Sequence, residues 1–188
     1  MIKISNSNIN SLFTIIVLVT ISRISIPHLF QHPMNFSAID ATALMCGAYF
    51  SRKGFAIATV LASVWVGDLF INKILTGNWI LFYSGFYWQY ASYILITFIG
   101  FALKNKINTR FILFTSLSAS TLFFTISNFG VWISSGLYPP TPTGLIESYI
   151  AAIPFFKNTV LSDLFFSILL FVIMEKTQLT YPKPSYLL

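Results

Sequence analysis

The chain has 188 residues, of which 56% are hydrophobic, 18% aromatic and only 9% charged, with a formal net charge of +6. That is one domain's worth of length with too little polar surface to clothe a soluble core, so a freely soluble globular protein is excluded and a polytopic membrane protein is expected. The basic residues sit in short turns between apolar runs, which places them as topology signals and argues against nucleic-acid binding.

A bilayer span needs about 20 mainly apolar residues. Six segments qualify in chain order: 11–27, 36–51, 54–72, 79–103, 111–134 and 158–174. The first is read as a retained helix, because no small-residue cleavage site follows it and Arg23 and Pro27 close it. The second is short and carries Asp40, and the third ends just after Asp68 and includes Trp65. A turn is expected at Gly77. After the fifth segment, Pro139, Pro140 and Pro142 forbid continuation of the helix. Gly144 to Phe156 is too short to span and contains Pro154, so it is expected to lie in the interface or dip in as a lid before the sixth helix begins. The fold class is therefore all-α, a bundle of six transmembrane helices with a short extra interfacial or re-entrant helix between helices 5 and 6. The whole chain, 1–188, forms a single transmembrane domain, with an N-terminal segment at about 1–10 and a C-terminal tail at about 175–188.

Orientation follows from the connections. With the N-terminus inside, eight basic residues (Lys3, Arg52, Lys53, Lys104, Lys106, Arg110, Lys176 and Lys183) fall on the inner side and three (Arg23, Lys73 and Lys157) on the outer. Both termini are thus expected to be cytoplasmic. The same topology places Arg23, Asp40, Asp68 and Asp163 in the outer part of the membrane.

An ionisable group inside a bilayer costs about 2.5–3.5 kcal/mol on insertion scales, so four at one depth point to a site or to interhelical ion pairs. As pairs, Arg23 would staple Asp40 or Asp68 and still leave an aspartate over. As a site, Asp163 and Asp68 supply counter-charge, Asn128 orients a ligand and Trp132, four residues on and on the same face, covers it. Trp65 lies three before Asp68, and Thr159 four before Asp163. Tyr83, Tyr87 and Tyr90 form a stripe that suits packing as well as pocket lining, and Gln89 suits an interhelical hydrogen bond. The set favours a neutral or cationic solute over a free carboxylate or phosphate. Catalytic readings lack support: His28 and His32 have no third ligand, Ser134 and Ser135 have no later histidine as base, and no nucleotide-binding glycine pattern occurs. Neither enzymatic chemistry nor a cofactor or metal is expected. Cys46 reads as a small buried hydrophobe.

The stretches MNFSAIDATALMCGAYF, GDLF, NFGVW, YPPTPTGL, ESYIAAIPFFKN and SDLFF, in that order over about residues 20–175, resemble an uncharacterised family of small bacterial membrane proteins. That family is similar in turn to the substrate-binding S components of energy-coupling factor (ECF) vitamin transporters. The resemblance implies a multi-pass protein of the bacterial inner membrane that binds a small vitamin-like or amine-bearing solute near its outer face, between helices two, three, five and six. It also implies an ECF-type transmembrane and ATPase module as partner, and adds Asn158, within ESYIAAIPFFKN, to the candidate site. The alternatives are an ion-coupled secondary transporter or channel using Asp68 and Asp163, and a structural or assembly protein without ligand.

Overall fold

The computed structural model describes residues 14, 17–24, 35–50, 52–103 and 107–180. The expected N-terminal segment, the expected C-terminal tail beyond residue 180, His28, His32, Lys104 and Lys106 lie outside the described residues, and the start of that tail, 175–180, belongs to the last helix. Among those described, all regular structure is helical: α1 over 17–24, α2 Ile39–Tyr49, α3 Lys53–Thr76, α4 Phe86–Leu103, α5 Thr109–Ser134 and α6 Pro142–Thr180.

Four of these, α3 to α6, are long and apolar enough to cross a membrane. At 1.5 Å per residue, α3 and α5 are about 36–39 Å long and α4 about 27 Å, matching a hydrocarbon core of about 30 Å. The exteriors are greasy in the way lipid demands: Phe114, Phe165 and Phe98 are each at least half exposed. The interior, by contrast, is rich in small hydroxyl residues such as Ser63, Ser92, Thr97, Ser116 and Ser167, all fully buried. Thr97, Ser92 and Ser63 each donate to the carbonyl four residues earlier on their own helix, so their hydroxyls are satisfied without a partner helix and the backbones approach closely.

The expected second span is an 11-residue helix, α2, about 16 Å long and too short to cross a bilayer. Every one of its residues is buried. It runs inside the bundle and touches α3, α4, α5 and α6. The contact with α4 is made backbone to backbone. A Cβ built on Gly47 would lie 2.3 Å from the Thr97 carbonyl oxygen, and one on Gly100 would lie 2.4 Å from that of Leu44, so only glycine fits on either side.

The helix ends follow local chemistry. Gly77 takes φ +75° and closes α3 by donating to the Lys73 carbonyl (3.0 Å), the turn expected at this glycine. Asn108 Oδ1 accepts from Phe111 N (2.9 Å) and caps α5. The fourth helix starts later than hydropathy suggests, at Phe86, because Gly85 adopts φ +78° and Asn72 Nδ2 holds the Ile80 carbonyl at 3.2 Å.

The separate interfacial helix between helices 5 and 6 does not exist. Thr141 Oγ1 accepts from Gly144 N (3.2 Å), Pro142 occupies the first helical position, and one 39-residue helix then runs through Pro154. Proline inside a helix costs about 3 kcal/mol through its missing N–H and its ring. Continuous packing overrides it: Gly144, Ser148, Ala152, Thr159, Asp163 and Ser167 are buried, with Asp163 and Ser167 bonded to Ser120 and Ser116 of α5, whereas Pro154 and Ile150, whose carbonyl loses its donor, are exposed.

Candidate functional site

A cavity of about 710 Å³ lies within the bundle, and all six helices or their lead-ins contribute to its wall. Its rim is formed where α3 ends, by Ile74 and Leu75, and where the chain enters α2, by Asn35 and Phe36. Leu75 is 75% exposed, so this end is open. At depth the lining is Tyr93, Phe123, Asp40 and Asp163, all buried, with the Tyr93 and Phe123 rings stacked at 5.4 Å. Beneath them α2 seals the bundle with Leu44, Cys46 and Tyr49, the last against Phe171 at 5.6 Å between ring centroids.

The ionisable residues sort into two groups. Arg23 Nη2 pairs with Asp68 Oδ1 at 2.7 Å, Arg23 Nη1 donates to the Val64 carbonyl at 2.9 Å, and Tyr90 Oη donates to Asp68 Oδ2 at 3.1 Å. Arg23 reaches the cavity wall, but its charge is already neutralised. The second group is a pair of carboxyls. Asp40, in the first turn of α2, and Asp163, at mid-α6, both line the cavity and are buried. Ser120 Oγ of α5 donates to Asp163 Oδ2 at 2.5 Å. Asp40 Oδ1 is left with no hydrogen-bond partner among the described residues, although Asp40 is only 3% exposed. A buried, unpartnered acceptor on a cavity wall is a place for a ligand's donor.

The neutral polar groups support this arrangement. Gln89 lines the cavity, accepts a hydrogen bond from Tyr83 Oη and donates to Tyr93 Oη at 3.4 Å. Burial and the Asp68 carboxylate both raise the Tyr83 phenol above its ordinary value, which keeps it a donor.

Of the residues expected from the sequence, Arg23, Asp40 and Asp163 are brought together at the cavity. The others are not. Asp68 is taken by Arg23, the staple that the sequence left open between Asp40 and Asp68. Asn128 does not reach the cavity, because its Nδ2 donates to Phe124 O of its own helix at 2.7 Å. Trp132 is held against the proline loop by a 2.9 Å bond from Nε1 to Pro139 O. Trp65 is 36% exposed on the outside of α3, and Asn158 is also absent from the lining. The wall includes helices one and four as well as two, three, five and six. Gln89, Tyr93, Phe123 and Phe155 were missed, since an amide or aromatic at mid-helix looks the same in sequence whether it packs or lines a pocket.

Among the described residues no group of three metal-binding side chains occurs. What the two carboxyls can offer a ligand is hydrogen-bond acceptance and counter-charge for a cation. No curated protein and no solved structure matches the chain. Residues 3–184 match a family of unknown function, DUF6580, and the chain belongs to that family.

Proposed function

We propose that this protein is a membrane-embedded substrate-binding or transport protein, similar in role to an ECF S component, that captures a small vitamin-like or amine-bearing solute. In this reading the chain makes six passes through a bacterial cell membrane with both termini cytoplasmic, and the open rim faces outward. The short α2 and the long α6 fit as two of the passes only if α2 is completed by the chain on either side of it.

The observation that carries the proposal is the 710 Å³ cavity with an unpartnered carboxyl oxygen at depth. Ligand sites are typically about 300–1,000 Å³, mostly apolar, with a few placed polar groups. The basic asymmetry supports the direction of access, because the rim lies at the end of α3 that bears Lys73 and far from Arg52 and Lys53. The two buried carboxyls on the cavity wall also favour the ion-coupled alternative, with Asp40 and not Asp68 beside Asp163.

The test is thermal unfolding of the purified protein in mild detergent against a panel of vitamins and small amines. A ligand at 100 times its Kd stabilises by about 2.7 kcal/mol, which raises Tm by several degrees. At least one compound should do so for the wild type and not for Ile71→Trp/Thr159→Trp, whose indoles would occupy the cavity. Equal shifts in both proteins would refute the site, and a panel that shifts neither would refute the function.

A further inference from the structure

Most polar groups on the cavity wall are already engaged with protein. Arg23 is held by Asp68 at 2.7 Å and by the Val64 carbonyl at 2.9 Å. Asp163 Oδ2 accepts from Ser120, and Thr159 Oγ1 donates to the Phe155 carbonyl at 3.1 Å. The Gln89 amide uses its oxygen on Tyr83 and its nitrogen on Tyr93. Asn35 and Ser37 belong to the lead-in to α2 and are not buried.

Two positions at depth are left open among the described residues. One is an acceptor: Asp40 Oδ1 has no partner, on a side chain whose residue is only 3% exposed. The other is a donor. Tyr93 is 2% exposed, its oxygen accepts from Gln89 Nε2 at 3.4 Å, and its own hydroxyl hydrogen goes to no described acceptor. The Gln89 amide sets this direction. Its oxygen takes the Tyr83 hydrogen, so it turns its N–H side to Tyr93, and the Tyr93 hydrogen must point elsewhere. The ring is stacked on Phe123 at 5.4 Å, which holds the hydroxyl in place on the cavity wall.

A buried donor and a buried acceptor without partners are each costly, so a ligand that satisfies both gains more than one that satisfies either. An ammonium head carries donors alone. It would serve Asp40 and leave the Tyr93 hydrogen unpaired. A carboxylate or phosphate carries acceptors alone and would set its charge against Asp40 and Asp163. A head with an N–H and a carbonyl oxygen side by side serves both positions. Towards the rim the wall turns apolar, with Phe36, Ile71, Ile74 and Phe155, and this suits a hydrocarbon body.

We propose that the cavity takes its solute head first, and that the head is a carboxamide or lactam group whose N–H donates to Asp40 Oδ1 and whose carbonyl oxygen accepts from Tyr93 Oη, with an apolar body reaching the open rim. This rests on the solute-binding reading above and names its substrate class. Binding in this orientation fills both open positions at once and leaves the existing bonds of Arg23, Gln89 and Thr159 intact.

The probes are hexanamide and methyl hexanoate, which keeps the carbonyl and lacks the N–H, titrated calorimetrically into the full-length protein in detergent. The wild type should bind hexanamide at least about tenfold more tightly than the ester, the worth of one hydrogen bond to a buried acceptor. Tyr93→Phe removes one oxygen and keeps the stacked ring. It should weaken hexanamide by about tenfold and leave hexylammonium, which has no acceptor, unchanged. Asp40→Ala should erase the preference for the amide over the ester. Because that preference is itself measured on the wild type, a variant that fails to fold leaves the test intact. Equal binding of amide and ester by the wild type, or a hexanamide affinity that Tyr93→Phe does not alter, overturns the assignment of the head. If the wild type responds to some other solute in a way that Ile71→Trp/Thr159→Trp abolishes, while hexanamide does not bind, the head assignment fails and the solute-binding reading stands. A protein that responds to no solute and to none of the probes overturns both.

Discussion

Gly47→Val is expected to abolish the native fold or lower its stability by more than about 3 kcal/mol, the upper end of what overpacking usually costs. The new Cβ would sit 2.3 Å from the Thr97 carbonyl oxygen and 2.8 Å from Gly100 Cα. Both are backbone atoms in mid-helix, so neither can swing aside and α2 must leave α4. Since α2 is buried on all sides and closes the base of the cavity, the displacement would reach every helix it touches. Gly54→Ala is the control, because nothing lies within 4 Å of a Cβ there. It should be neutral or stabilising by about 0.5–1 kcal/mol, as glycine is a poor helix former. The measurement is the yield of monodisperse protein and its unfolding midpoint in detergent; equal midpoints for the two variants would contradict the close approach.

Arg23→Met should cost about 3–5 kcal/mol, because it strands Asp68 as a buried carboxylate. The two side chains are 10% and 6% exposed, and among the described residues Tyr90 would remain as a donor to the carboxylate. The double variant Arg23→Met/Asp68→Leu should recover most of the loss, since apolar replacement of both partners removes the desolvation penalty along with the attraction. Unfolding midpoints of the two single variants and the double close the cycle. Additive losses would mean that the pair is not coupled. The distinction matters for function, because it separates Arg23 and Asp68, which hold α1 to α3, from Asp40 and Asp163, which face the cavity.

Hydropathy identified α3, α4, α5 and the second half of α6, since lipid contact imposes one composition along a whole span. It gave the second segment the length of a span, whereas α2 itself has 11 residues and is buried throughout, because an apolar run reads alike whether lipid or protein surrounds it. The break at Pro154 was a sound local inference that failed for a non-local reason: small residues from Gly144 to Ser167 stay buried straight past the proline, in a helix that packs against α5. The site was legible where cost is highest. Arg23, Asp40 and Asp163 stand out because charges in a membrane are expensive, but which carboxyl takes the arginine depends on how helices are arranged in space. Asn128 and Trp132 misled because an amide and an indole can satisfy themselves on a nearby carbonyl, as they do at Phe124 and Pro139.

Native mass spectrometry of the protein released gently from its own membrane tests the central claim most directly. The wild type should carry a small-molecule adduct at up to one per chain, and Asp40→Asn/Asp163→Asn, folded by the same unfolding criteria, should carry none. A wild type free of any adduct across several detergents, or a double variant that retains the same adduct to the same extent, would contradict the assignment of this cavity as a solute site held by its carboxyl pair.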